Sequence, residues 1–200
     1  MKFVTGILVA AAFITLAACS PKQSATTNDT KQAATTATTS TIPAEPVEQK
    51  QEDTVTPIKK GETVTIQDFA DITVTGNKIS KKIEPSKPGD FHTLYESKET
   101  DSTFFALIIK AKNLGAEGIK ADKIAEVNLK FDNKYDYDTF STIEERGGED
   151  FTYTNITSVD PLKTGTLYYL SEIPNEVAKS EKPLKAEIKI QDKVYEYTIR

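Results

Sequence analysis

The sequence predicts an all-β protein: antiparallel strands forming a two-sheet sandwich, behind a signal peptide and a disordered Thr-rich stalk. Three observations carry this. Between residues 60 and 200, apolar side chains alternate with polar ones at a period of two, which puts every second residue on one face of a strand. No segment of helix length repeats at 3.6. All eight Tyr lie in this span, and residues 20–58 contain no aromatic residue at all.

The N-terminus reads as an address. Lys2 supplies a short positive region, and Phe3 to Leu16 is uncharged. That run falls short of the ~20 apolar residues a membrane-spanning helix needs and suits a signal peptide. It ends in Leu16, Ala17, Ala18 and Cys19, and Cys19 is the one cysteine of the chain. The four residues resemble the bacterial lipobox, which implies cleavage before Cys19 and lipid attachment to it. Residues 1–18 are therefore expected to be a lipoprotein signal peptide. Two acyl chains at about 0.8 kcal/mol per buried CH₂ suffice for stable anchoring.

Residues 19–59 are expected to be the lipidated Cys and a linker. Ser20 to Pro46 holds eight Thr and five Ala, with Ile42 its one large apolar residue. Such a segment buries too little apolar surface to offset the entropy of ordering it. With ~40 residues, its typical reach is about 35 Å.

From residue 60 to 200 one domain is expected. Val64 and Ile66 share a face, as do Ile72 and Val74; Gly76-Asn77 is read as a turn into Lys78–Ile83. Between Thr103 and Lys112, Phe105, Leu107, Ile109 and Ala111 form one face and Phe104, Ala106 and Ile108 begin the other. Apolar on both sides, this strand is expected to be central. Val127, Leu129 and Phe131 alternate before an Asp132-Asn133 turn into Tyr135 and Tyr137. Gly147-Gly148 opens a loop ahead of Phe151 and Tyr153. Leu167, Tyr169 and Ile173 are in phase, and one helical turn capped by Asn175 is expected after Pro174. The last hairpin is the clearest, Leu184–Ile190 and Tyr195–Ile199 about a Gln191-Asp192-Lys193 turn. Strands with one apolar face pack as a sandwich, with a closed barrel as the alternative topology.

The stretch Phe104-Phe-Ala-Leu-Ile-Ile-Lys-Ala-Lys-Asn-Leu-Gly115 resembles the central strand and turn of a family of bacterial lipoprotein domains. These are described as telokin-like or Ig-like and are similar to a mycobacterial immunoprotective secreted antigen. Asp160-Pro-Leu-Lys-Thr-Gly-Thr-Leu-Tyr-Tyr-Leu-Ser-Glu-Ile-Pro174 resembles that family's other recurring segment. The resemblance implies an Ig-like sandwich outside the cytoplasmic membrane, most often on a Gram-positive surface. It implies no catalytic residue.

Composition excludes several chemistries. One Cys permits no internal disulfide, and one Cys with one His permits no zinc site of the Cys/His type. A net charge of −5 argues against sequence-independent nucleic-acid binding. His92 is read as a surface-loop residue, since no nucleophile motif accompanies it. Asp132-Asn-Lys-Tyr-Asp-Tyr-Asp138 lacks the Gly and Glu of an EF-hand loop. Glu144, Glu145, Glu149 and Asp150 flank a Gly-rich turn and read as a solvated loop rather than a glycosidase pair. The paired Tyr135/Tyr137 and Tyr195/Tyr197 read as strand residues of the buried face, and one of Tyr168 and Tyr169 is a candidate for the outside.

The expectation is a non-enzymatic, lipid-anchored extracytoplasmic Ig-like module that binds an envelope protein or ligand. A structural envelope lipoprotein without a ligand is the alternative. No cofactor and no metal are expected, and the domain is expected to be monomeric. Its membrane contact would be the lipid on Cys19. The candidate segment for a cationic partner is 132–150, with Asp132, Asp136, Asp138, Glu144, Glu145, Glu149 and Asp150 against two basic residues. Concentrated like charge attracts counter-charged ligands.

Overall fold

A computed structural model describes residues 55–200 of the chain. The signal peptide, the lipobox residues Leu16, Ala17, Ala18 and Cys19, and most of the expected stalk lie outside the described residues.

The described residues form a β-sandwich. One sheet has five strands: β1 (Thr56–Ile58), β8 (Glu126–Phe131), β9 (Tyr135–Asp138), β14 (Leu184–Ile190) and β15 (Lys193–Thr198), in the order β1-β15-β14-β8-β9. The other has six: β2 (Thr63–Ile66), β3 (Ala70–Ser80), β6 (Ser102–Asn113), β10 (Phe140–Glu144), β11 (Phe151–Tyr153) and β13 (Thr164–Pro174). Their order is β11-β10-β13-β6-β3-β2. Two small ribbons pair β4 (Lys82–Ile83) with β5 (Tyr95–Glu96) and β7 (Ile119–Lys120) with β12 (Ser158–Val159). A 3₁₀ turn at Ala121–Lys123 and the helical turn α1 (Asn175–Lys179) complete it.

The alternation read in the sequence sets which face goes inward. Ile72 and Val74 of β3, Phe105, Leu107 and Ile109 of β6, and Leu167, Tyr169 and Ile173 of β13 meet Val127 and Leu129 of β8. Leu184, Ala186 and Ile188 of β14, with Tyr195 and Tyr197 of β15, close the same core. β6 is central, between β13 and β3. The last hairpin also forms as expected, with Gln191 left-handed at φ 52°. Asp132 (φ 56°) and Asn133 (φ 51°) make the expected turn, both in the left-handed conformation of a type I′ hairpin.

Several expectations are corrected. Gly76-Asn77 is not a turn: β3 runs through it, because β6 is long enough to pair Val74 with Ile109 and then Gly76 with Ile108. Thr75 is the extra residue of a bulge there, and Gly76 takes a φ of +153° that an L side chain rarely adopts. Asn175 does not cap α1; Pro174 occupies the cap position, and Asn175 Nδ2 instead donates to Thr100 O at 3.0 Å. Neither Tyr168 nor Tyr169 faces out, because a second apolar layer covers the outer face where Tyr168 points. The Tyr pairs divide: Tyr195 and Tyr197 are core residues, whereas Tyr135 is 47% exposed on the edge strand β9.

β1 begins ahead of residue 60. It pairs in parallel with β15, Thr56 opposite Tyr195 and Ile58 opposite Tyr197, and Ile58 is 3% exposed. The direction of β15 sets where the chain enters: at the end of the sandwich where β6 finishes and β13 begins.

Candidate functional site

The six-stranded sheet has apolar residues on both faces, and its outer face is only partly covered. Residues 81–101, carrying the β4–β5 ribbon, lie over part of it. Ile83, Phe104, Ala106, Phe151, Tyr168 and Leu170 form a second apolar cluster there. Phe151 meets Tyr168 edge-on at 4.9 Å between centroids, and Tyr95 packs on Phe140 at 5.2 Å. Next to it, over β13 and β6, lies an open groove of about 960 Å³, floored by Ile108, Lys110, Thr166 and Tyr168. A cavity of this size falls in the range of ligand sites.

Its walls come from two loops. Residues 144–148 of the β10–β11 hairpin form one side, with Ser86 and Lys87 alongside. Residues 157–160 and Lys163, around β12, form the other. Four cations line the groove: Lys87, Lys110, Arg146 and Lys163. None of them has a carboxylate within 4.0 Å among the described residues. Of the three acids present, Glu144 is fully engaged. Its Oε1 accepts from Ser86 N at 2.6 Å and from the Tyr168 hydroxyl at 2.8 Å, and its Oε2 accepts from Ser86 Oγ at 3.2 Å. Burial, then the bond to Glu144, pushes the Tyr168 phenol well above its ordinary range. Glu145 and Asp160 remain exposed on the walls.

The acidic segment does not converge on one site. Asp132, Asp136 and Asp138 belong to the β8–β9 hairpin of the five-stranded sheet, and Glu144, Glu145, Glu149 and Asp150 to the β10–β11 hairpin of the other. Asp132 pairs with Lys182 at 2.6 Å, and that bond raises the Lys182 pKa. Asp136 lies 3.8 Å from Lys130, whose pKa is raised first by Glu187 at 3.1 Å. Among the described residues, no group of three His, Cys, Asp or Glu could hold a metal ion.

The acids of the second hairpin instead staple the 84–94 segment. Asp150 Oδ1 accepts from Thr93 N at 2.6 Å and from Phe151 N at 2.7 Å, and these two bonds hold its carboxyl below the ordinary 3.8. Lys87 N donates to Gly148 O at 2.8 Å and Gly89 N to Glu149 O at 3.0 Å. His92 sits in this segment, Nδ1 2.8 Å from Gly89 O and Nε2 3.2 Å from Glu84 Oε1. Lys82, then His92, lower the Glu84 pKa. His92 thus braces a loop and faces no nucleophile in these contacts.

Sequence reasoning missed three features of this face. β10 went unread because Phe140-Ser-Thr-Ile-Glu144 has little alternation of its own; its ladder with β13 makes it a strand. The groove was missed because its floor joins residues from different strands, Ile108 and Lys110 of β6 with Thr166 and Tyr168 of β13, which only the sheet brings together. The third is Leu162, 72% exposed with φ 62°. Lys163 N donates to Asp160 O at 3.0 Å, so Asp160-Pro161-Leu162-Lys163 is a turn with Pro second and a left-handed residue third. That third position normally takes Gly or Asn. The turn is held by Leu162 N donating to Asn113 O and Asn113 N to Lys163 O, both at 3.0 Å. The buried Asn113 side chain donates to Glu117 O and Val159 O. Pro161 beside Leu162 was the available signal.

No family model matches this chain, and no curated protein does. Two solved structures are similar to it. An uncharacterized β-sandwich protein from Clostridium difficile 630, a crystal structure at 1.90 Å resolution, is 24% identical. It aligns with a TM-score of 0.69 over 76% of this chain and 99% of that one. A conserved hypothetical protein from Bacillus anthracis is 15% identical, with a TM-score of 0.48 over 70% of this chain and 93% of that one. The first likeness supports the β-sandwich fold and extends no further.

Proposed function

We propose that the chain is a lipid-anchored, extracytoplasmic binding module of a bacterial cell envelope, with its ligand in the groove on the outer face of the six-stranded sheet. The observation that carries the binding role is the groove itself. The outer face of an antiparallel sheet is ordinarily solvated and polar or covered by another layer. Here part of it is covered by an apolar layer and part is concave, lined with hydroxyls and with cations that have no carboxylate within 4.0 Å among the described residues.

The anchor rests on Leu16-Ala17-Ala18-Cys19 and on the resemblance to telokin-like lipoprotein domains. A diacylated Cys19 would hold the chain to the outer leaflet, and residues 20–54 would give the domain its reach. The described residues begin, at β1, at the end of the sandwich where Lys163 and Asn113 lie, the end on which the groove also stands.

Two measurements test this. Fatty-acid labelling of wild type and Cys19→Ser is expected to show lipid only in the wild type; equal labelling removes the anchor. Binding of the purified chain to envelope fragments is expected to be saturable and to weaken at least tenfold in Thr166→Trp, which fills the groove floor. Equal binding by that variant removes the groove as the site. No saturable binding by wild type favours a structural stand-off role instead.

A further inference from the structure

We infer that the groove takes an anionic glycan, a chain of sugars bearing acidic groups and long enough to reach the exposed aromatic rings elsewhere on the same sheet face. This rests on the groove being the binding site proposed above. Three independent features converge on that chemistry.

The first is charge. Residues 60–200 carry more acids than bases, so the surface as a whole repels polyanions. Lys87, Lys110, Arg146 and Lys163 nevertheless face one concavity without carboxylate partners among the described residues. Against Glu144, which is hydrogen-bonded to Ser86 and Tyr168, and the exposed Glu145 and Asp160, these four cations still leave the groove net positive, so an anionic ligand is attracted here more than elsewhere on the domain.

The second is the distribution of hydroxyls. Thr75 Oγ1 donates to Ile108 O and Thr157 Oγ1 to Tyr153 O, so these two are spent on the backbone. Ser158, Thr164 and Thr166 also line the groove, and Thr166 stands on its floor. Each such hydroxyl is both donor and acceptor, which suits the like-natured hydroxyls of a sugar.

The third is the exposed aromatic rings. On β11, Tyr153 sits opposite Thr142, which sits opposite Tyr168, so all three share the outer face. Tyr153 is 70% exposed. Phe140, 45% exposed, lies diagonally from it on β10 and packs on Tyr95 and Phe104; neither Tyr153 nor Phe140 lines the groove, and both share its sheet face across Tyr168 from the rest of the floor. An exposed ring offers its negative face to the C–H bonds of a sugar ring.

A peptide fits less well. The floor strand β13 is paired with β6 along its whole length and with β10 from Leu167 to Leu170, so on the groove side it leaves Thr164–Thr166 unpaired, fewer than the roughly five or six residues of a usual strand. Of the apolar residues that reach the groove, Ile143, Val159 and Tyr168 are buried and only Ile108 is half-buried, which leaves little apolar surface for peptide side chains.

The test is calorimetric titration of the full chain, purified in detergent. The probes are oligogalacturonate, hyaluronan octasaccharide and a phosphorylated mannan, with neutral dextran oligosaccharide and poly-glutamate as controls. At least one acidic glycan is expected to bind ten times more tightly than either control. Lys110→Ala/Lys163→Ala is expected to weaken it at least tenfold and to flatten its salt dependence, and Tyr153→Ala to weaken it three- to tenfold with the salt dependence unchanged. All three residues are exposed, and unchanged urea midpoints would show that the variants are folded. Equal binding of poly-glutamate overturns the inference in favour of an acidic polypeptide, and equal binding of dextran overturns the need for charge. Failure of every acidic glycan, while envelope binding still depends on Thr166, overturns the inference and leaves the groove as the site. Envelope binding indifferent to Thr166 overturns the site.

Discussion

Leu162 and Tyr169 are each in a costly place for a different reason. Leu162 holds a left-handed backbone that disfavours a Cβ by about 1–2 kcal/mol, while its side chain stands in water. Leu162→Gly is therefore expected to raise stability by up to about 1 kcal/mol in urea unfolding, after allowing for the greater freedom of Gly in the unfolded chain. Leu162→Ala keeps the Cβ and should gain nothing; equal midpoints for Gly and Ala would remove the strain argument. Tyr169 is 2% exposed between the sheets, and among the described residues its hydroxyl makes no hydrogen bond of good geometry, although the Ala125 backbone lies near enough to act on it. Burial pushes its phenol far above the ordinary range. An unsatisfied buried hydroxyl costs about 1–3 kcal/mol, so Tyr169→Phe should be neutral or stabilising. A loss above about 1 kcal/mol would mean that the hydroxyl is satisfied by something unseen here, such as a buried water.

At the scale of elements, the β10–β11 hairpin and the 84–94 segment depend on one another through carboxylates. Asp150 holds Thr93 N and Phe151 N, and its folded-state pKa is depressed by those two bonds. A depressed acid contributes stability that is present above its unfolded value and lost as pH falls through the folded value. The 84–94 amides should therefore stay protected at neutral pH and open below about pH 3.8, the ordinary value for Asp, ahead of the central strands. Hydrogen exchange across pH 2.5–6 reads this directly. Simultaneous opening of 84–94 and β6 would place the staple elsewhere. In Asp150→Ala the segment should open at every pH without a change in the β6 amides.

The edge strand β1 decides where the domain begins. Ile58 is buried and β1 covers the free edge of β15. Burying an Ile is worth roughly 1.5–3 kcal/mol, and an uncovered β15 would present an unpaired edge. A fragment of residues 60–200 should therefore be less stable than 55–200 by about 2 kcal/mol or more, and more prone to associate. Fragments 20–200 and 55–200 should have equal urea midpoints, since Ser20–Thr54 contains few apolar residues to bury. A midpoint for 60–200 equal to that of 55–200 would make β1 dispensable.

At the scale of the whole molecule, the sandwich was legible wherever a strand carries its own alternation. Phe105-Leu107-Ile109 and Leu184-Ala186-Ile188 each mark an inward face by themselves, because period two is a local property of the backbone. The anchor reading at Cys19 is likewise local, and rests on Leu-Ala-Ala-Cys alone. What lies beyond local pattern had to come from the tertiary structure. Gly76 reads as a turn until β6 is seen pairing on both sides of it. Glu144 reads as a solvated acid until Ser86, 58 residues away in sequence, is found donating to it. The acids of 132–150 read as one patch until the chain passes from one sheet to the other between Asp138 and Phe140. The groove exists only because segments far apart in sequence, among them 86–87, 108–110, 143–148 and 157–168, come together around one part of a sheet face. Side-chain alternation follows from the pleat of each strand and is written in neighbouring residues. Hydrogen-bond partners and concavities are set by which strands meet, and loop closure brings those together from far apart in sequence.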